Sequence, residues 1–349
     1  MSTLLFSAAE PSGDLLAGPV IEELRAQRPD LVPAGVTGPA MRAAGARSIG
    51  DIADLSGSGL VEVLPRLPAI LRVRRRLRDA IVRGRPTVAV LVDAPDLHLT
   101  LHRVGRRAGV RTVQLVPPQF WAWRERRGTA LRSLDRVLCL FRFEAARLRE
   151  LGVSATWVGH PVVERAAAAR GGERDTVIAV LPGSRRHEQD RHVGPLVAAA
   201  KEVGRRRGLR VVLSWPKGRP APEGVDVSHE DGLCLLARAA CALVAPGTAT
   251  LEAAMVDCPH VVAGALHPLS AAVARRLLRV EHVGLPNLLL GAARVPEVLQ
   301  DLEVGRLAAA LEGTLETDAV GLRRELGEVL GPPGFAARAA GAIGEELDR

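Results

Sequence analysis

Short runs of aliphatic and β-branched residues recur along the chain, each followed by a stretch whose apolar positions return every three or four residues. Continuous apolar runs mark strands covered on both faces, so the pattern predicts parallel sheets flanked by helices. In the first half it places strands at residues 3–8, 32–36, 88–93, 111–116, 136–140 and 155–158, with helices such as 15–28 and 69–83. A polar segment rich in Ala, Arg and Gly, 166–175, then reads as a linker. The pattern restarts with strands at 177–181, 211–214, 242–245 and 260–263, and helices at 189–207, 232–239, 250–256 and 269–278. Beyond residue 304 it is purely helical, with a break at Gly331-Pro332-Pro333. This predicts two open α/β domains, 1–165 and 176–330, whose strand ends face a shared cleft. The last segment, 331–349, either packs back on the first domain or exchanges with a second copy in a homodimer.

Composition narrows the class. With 47% hydrophobic and 25% charged residues in 349, the chain reads as soluble and globular. Cys139, Cys234, Cys241 and Cys258 form no C-x-x-C pair or metal-ligand spacing, which suits free thiols in a reducing compartment. The N-terminus has no basic region and too short an apolar run for a signal peptide. No stretch approaches the ~18 apolar residues of a spanning helix. A cytoplasmic protein is expected.

The net charge of +8 sits entirely in residues 1–164, which hold 24 Arg and 16 Asp or Glu; the remainder is neutral. A basic first half implies an anionic partner. Residues 65–85 contain eight Arg and one acid, with apolar positions near helical period. Such a segment either lies on an anionic membrane surface or is a packed helix with a solvated Arg face. Nucleic acid is disfavoured, because no helix-turn-helix, RNA-recognition or zinc pattern occurs.

Residues that follow strands carry the candidate chemistry. In the second half, the run 178–188, I-A-V-L-P-G-S-R-R-H-E, passes from strand through Gly183 and Ser184 to a helix start beside Arg185. Backbone N–H groups at such a start face an anion, and a planar guanidinium pairs with phosphate. Residues 247–252, G-T-A-T-L-E, repeat the arrangement. There Gly247, Thr248, Ala249 and Thr250 are candidate diphosphate donors, Glu252 a candidate acceptor for a ribose diol, and Thr248 alternatively a plain N-cap. Asn287, in L-P-N-L-L, must be satisfied by backbone or by ligand. In the first half, Ser12, Gly13 and Asp14 follow the first strand, either facing a ligand or capping a helix. Asp93 and Asp96 flank a stiff Ala-Pro after the 88–92 run. Asp96 can cap the next helix, whereas Asp93 is the candidate general base. Trp121 and Trp123 suit a ligand groove or a core corner equally.

Taken together, E-P-S-G-D (10–14), E-V-L (62–64), D-A-P-D (93–96), W-A-W-R (121–124), G-H-P (159–161), L-P-G-S-R (181–185), G-T-A-T-L-E (247–252) and L-P-N-L-L (285–289) resemble the lipid-A-disaccharide synthases. This is a family of GT-B glycosyltransferases with two Rossmann-like domains facing a cleft. The resemblance implies inverting transfer of a diacylglucosamine from UDP to the 6-hydroxyl of an acylated glucosamine 1-phosphate. It implies no metal and no other cofactor, and work at the cytoplasmic face of the inner membrane. It puts the catalytic aspartate on Asp93, nucleotide contacts on Arg185, the 247–252 loop and Asn287, and acceptor-side residues in the first domain. Where the family usually continues D-x-P-D with Phe-Asn, this chain has Leu97-His98; Pro118 replaces a Ser, Ser58-Gly59 replaces Met-Gly, and residues 264–267 are G-A-L-H. Two alternatives remain open: a GT-B relative with another lipid-linked or phosphorylated acceptor, or a silent nucleotide-sugar-binding protein.

Overall fold

Among the described residues, every strand pairing in the computed structural model is parallel, and the strands form two separate sheets. The structure describes residues 3–55, 67–118, 125–172, 174–266 and 281–349. Trp121, Trp123, the E-V-L motif at 62–64 and the helix expected at 269–278 lie outside the described residues, as does the side chain of Asp96. The chain divides into two compact units, residues 1–161 with 332–349, and residues 162–331.

The first unit holds a seven-stranded sheet of order β3-β2-β1-β4-β5-β6-β7. Its strands are β1 Leu4–Ser7, β2 Ala34–Thr37, β3 Arg47–Asp51, β4 Val88–Val92, β5 Arg111–Leu115, β6 Arg136–Cys139 and β7 Ala155–Trp157. The central strands β1 and β4 are buried throughout, as their unbroken apolar runs require. Strand order turns back between them, and Ser7 pairs with Leu91, so the loops after β1 and β4 leave side by side. That junction is where open α/β sheets place ligands.

The helix Leu67–Val82 is the basic segment. Val73, Leu77 and Ile81 are buried, while Arg72, Arg74, Arg75, Arg76 and Arg78 are exposed. Its apolar face is therefore committed to the unit's own core, and a solvated Arg face remains.

The C-terminal helix Phe335–Asp348 belongs to this unit and packs on the first helix, Pro11–Gln27. Arg28 pairs with Asp348 at 2.5 Å, and Arg136 meets Glu345 at 2.7 Å and the buried Glu346 at 2.9 Å. Arg111 donates to the Glu346 carbonyl at 2.7 Å. Phe335, Ala339 and Ile343 supply the buried face between these ion pairs.

The second unit holds a six-stranded sheet of order β10-β9-β8-β11-β12-β13. Its strands are β8 Val177–Leu181, β9 Arg210–Ser214, β10 Asp226–Ser228, β11 Cys241–Val244, β12 His260–Gly264 and β13 Glu297–Leu299. Val180, Leu243, Val261 and Leu213 pack against Leu196, Val203, Leu307 and Leu311 from the helices Arg186–Arg207 and Val304–Thr314.

Three strands were not expected. β3, β10 and β13 are short sheet edges with half-exposed, partly polar positions, so they lack the apolar run that reveals a covered strand. The segment 166–175, expected as a linker, is tied into the second unit instead. Its first four residues end the helix Val162–Ala169, where Ala166 is buried, and the Asp175 amide donates to the Arg238 carbonyl at 2.7 Å. An Ala-rich run with one buried stripe favours helix over linker. Among the described residues, no helix is long and apolar enough to cross a membrane.

Candidate functional site

In the second unit the strand order turns back between β8 and β11, and Val244 pairs with Leu181. The two Gly-containing loops predicted from sequence therefore emerge from adjacent strand ends. After β8, Gly183 has φ +105°, and a Cβ there would lie 2.6 Å from Glu188 Oε2, so the turn requires glycine. The helix Arg186–Arg207 starts next, and Glu188 folds back to accept from the Arg185 amide at 3.4 Å. Ser184, Arg185 and Arg186 are exposed. The Arg185 guanidinium rests on Glu188 at 3.3 Å, a half-exposed pair of the weak kind that an incoming anion can replace.

Two side chains of that helix hold the turn from behind. Gln189 Nε2 donates to the Gly183 carbonyl at 3.0 Å. Buried His192 donates from Nδ1 to the Pro182 carbonyl at 2.9 Å, while its Nε2 accepts from the Ala265 amide at 3.0 Å. His192 thus ties the loops after β8 and β12 together.

After β11, Gly247 has φ +142° and stands at the N-cap of the helix Thr248–Met255, with no side chain capping it. Gly247 and Thr248 are exposed and Ala249 half-buried. An uncapped, exposed helix start presents N–H groups and the positive end of the dipole to an anion. Thr250 does not share this role. Its buried hydroxyl donates to the Gly247 carbonyl at 2.8 Å and accepts from the Leu285 amide at 3.2 Å, so it braces the loop rather than donating to a diphosphate.

Glu252 stands one turn into the helix. Arg165, from the helix Val162–Ala169, reaches it at 2.6 Å and also pairs with Asp231 at 2.7 Å. Burial pushes the Glu252 carboxyl above its usual range, against the opposing pull of Arg165. One of its oxygens takes the Arg165 hydrogen bond. A carboxylate keeps lone pairs for a diol beyond that bond.

Asn287, read from sequence as satisfied by backbone or by ligand, has its side chain satisfied within the protein. It is fully buried; Nδ2 donates to the Val295 carbonyl at 2.7 Å and to Glu297 at 2.9 Å, and Oδ1 accepts from the Arg294 and Val295 amides, both at 2.8 Å. Two donors and two acceptors exhaust its capacity. Its side chain fastens the helix Leu285–Leu290 to β13 and has nothing left to offer a nucleotide.

In the first unit, Asp93 follows β4 with φ +51°, and Ala94 follows with φ +45°. Both lie in the left-handed region, which non-glycine residues enter at a cost. The half-buried Asp93 side chain stands at the turn, and its amide donates to the Leu115 carbonyl at 2.8 Å. The helix Pro95–Arg107, which carries Asp96, begins next. Beside it, the first helix starts after β1: Ser12 is exposed, and buried Gly13 packs so that a Cβ would touch Val92 Cγ1 at 3.4 Å.

Asp14 is an internal brace, contrary to its acceptor-side reading. It is 3% exposed and takes the Gly38, Ala40 and Met41 amides at 2.9, 2.8 and 3.0 Å. A buried carboxylate needs such donors, and here it caps the short helix Pro39–Ala43.

Sequence reasoning missed Arg165, Gln189 and His192, because their partners are distant residues or backbone carbonyls that carry no motif. Among the described residues, no cluster of three His, Cys, Asp or Glu side chains is placed to hold a metal ion.

Known proteins resemble this chain in sequence and in fold. A curated lipid-A-disaccharide synthase from Solibacter usitatus is 36% identical over 379 residues, covering 100% of this chain and 98% of its own. One from Pseudomonas aeruginosa (strain UCBPP-PA14) is 40% identical over 337 residues, with 88% of each covered. Among solved structures, the Methanocaldococcus jannaschii UDP-GlcNAc 2-epimerase in complex with UDP-GlcNAc and UDP superposes with a TM-score of 0.67 at 12% identity, covering 99% of this chain and 100% of that one. The fold is GT-B, with two parallel-sheet α/β domains. The family model described as lipid-A-disaccharide synthetase matches residues 4–317, and the chain belongs to that family.

Proposed function

We propose that this enzyme joins two acylated glucosamines into the lipid A disaccharide. A 2,3-diacylglucosamine leaves UDP, and its C1 is attacked with inversion by the 6-hydroxyl of an acylated glucosamine 1-phosphate. The observation that carries the reading is the pair of exposed, glycine-turned helix starts on adjacent strands β8 and β11, within a chain of this family. They suit a diphosphate: Gly183, Ser184 and Arg185 on one loop, Gly247, Thr248 and Ala249 on the other. Charge that develops on the departing UDP meets N–H groups and a guanidinium already in place. Glu252, held by Arg165, is oriented to accept from the ribose hydroxyls. Thr250 and Asn287 serve as supports of this half-site.

Asp93 is assigned as the general base, with Ser12, Gly13 and Asp96 beside it on the acceptor side. As the bond from the acceptor oxygen to C1 forms and the bond from C1 to the diphosphate breaks, the hydroxyl proton passes to Asp93. The exposed arginines of the helix Leu67–Val82, together with exposed Leu71, support work at the anionic cytoplasmic face of the inner membrane, where acylated substrates reside. Two copies sharing the C-terminal helix are a further arrangement this reading admits.

The test is an assay with UDP-diacylglucosamine and an acylated glucosamine 1-phosphate, run beside a UDP titration. Disaccharide and UDP as products are expected. UDP binding without disaccharide would shift the acceptor to another phosphorylated lipid, and no UDP binding would overturn the enzyme reading.

A further inference from the structure

Six non-glycine residues among those described have positive φ, and three of them, Asp93, Ala94 and Val116, meet at the ends of the neighbouring strands β4 and β5. Val116, at φ +66°, is β-branched and the least suited of the three to that region. Such a cluster persists only where the surroundings hold it in place.

The surroundings here are three buried side chains, Gln114, His98 and His102. Gln114 is fully buried, and its Nε2 donates to the Asp93 carbonyl at 3.1 Å and to the Val116 carbonyl at 2.9 Å. One amide group thus clamps both strained turns. Two carbonyl acceptors on one side fix the amide orientation, leaving Oε1 to accept from His102 Nε2 at 2.7 Å. His98, also fully buried, donates from Nδ1 to the same Asp93 carbonyl at 2.8 Å. Asp93 therefore has its amide fastened to Leu115 and its carbonyl fastened twice. With the backbone pinned on both sides, the direction in which its Cβ leaves the chain is set.

We propose that Gln114 and His98, backed by His102, are positioning residues that hold the left-handed turn and so aim the Asp93 carboxylate at the acceptor hydroxyl. The proposal rests on the reading of Asp93 as the general base.

The experiment is steady-state kinetics with UDP titration and thermal unfolding on Gln114→Met, His98→Phe, His98→Asn, Asp93→Asn and the Asp93→Asn/Gln114→Met double variant. Gln114→Met and His98→Phe should lower kcat on the order of 10- to 100-fold, the scale of a misplaced reacting group, with donor KM and UDP affinity within about twofold. His98→Asn should restore most of the rate. In the Asp93→Asn background, Gln114→Met should change the residual rate no further, because the group it aims is already gone. A wild-type kcat in folded Gln114→Met and His98→Phe, with Asp93→Asn inactive, overturns the positioning role and spares the base. Effects of Asp93→Asn and Gln114→Met that simply multiply also overturn it. A fully active Asp93→Asn overturns both the base and its positioning. If Gln114→Met does not fold, the His98→Phe and His98→Asn pair decides alone: equal rates in the two contradict the proposal.

Discussion

Arg165 holds Glu252 at 2.6 Å, and the same guanidinium spans to Asp231, the N-cap of the helix Gly232–Arg238. A residue in a run that reads as the approach to a linker is therefore the partner of the proposed ribose ligand. Arg165→Met leaves the Glu252 carboxylate largely buried without its cation. The loss should be about 1–3 kcal/mol of stability in the second unit, with weaker UDP binding, read by denaturant unfolding and titration. Burial already raises the Glu252 pKa, and removing Arg165 raises it further. The penalty should therefore be greatest at neutral pH and fade as falling pH protonates the carboxyl. Unchanged UDP affinity would detach Glu252 from the nucleotide.

Asn287 makes four hydrogen bonds to protein groups, three of them with backbone. Asn287→Ala should cost about 2–4 kcal/mol of stability, since several buried groups lose partners at once. Folded protein should still bind UDP with nearly its original affinity. Normal stability with lost UDP binding would make Asn287 a nucleotide contact after all.

How much of this was legible in the sequence depends on what each residue touches. β1, β4, β8 and β11 stood out because a strand buried on both faces must be apolar throughout. The turns at Gly183 and Gly247 stood out because positive φ after a strand selects glycine. Asp14 and Asn287 were equally visible, yet their roles were not. Whether a buried polar side chain serves backbone or ligand depends on which amides the fold brings near: 38–41 for Asp14 and 294–295 for Asn287. Gln114 was invisible, since it lies within an ordinary strand and its partners are carbonyls of two turns created by sheet register.

Three histidines, His98, His102 and His260, are buried and held near pKa 4, chiefly by desolvation. The unfolded chain, near 6.5, takes up protons first as pH falls, so stability is intact above about 6.5 and is lost from there toward 4. Each contributes a slope of about 1.4 kcal/mol per pH unit in that window. Denaturant unfolding at several pH values should show this, and His260→Phe should flatten the slope for the second unit. An unchanged slope would mean that His260 is not buried neutral.

Arg185 is exposed, and its guanidinium pairs with the half-exposed Glu188. Arg185→Ala should weaken UDP binding by about 1.5–3 kcal/mol, as expected for one charged hydrogen bond, and leave the unfolding temperature in place. Gly183→Ala should lower both, because its Cβ would collide with Glu188 at a φ that alanine resists. Equal UDP affinity in wild type and Arg185→Ala would remove this loop from the diphosphate.

The assignment of base chemistry to Asp93 and of donor binding to the loops after β8 and β11 is tested most directly by one comparison. Disaccharide formation and UDP affinity are measured together on Asp93→Asn and the wild type. Turnover should fall by about two to four orders of magnitude, the range for losing a general base, with UDP affinity nearly unchanged. Wild-type turnover, or an equal loss of turnover and UDP binding, would contradict it.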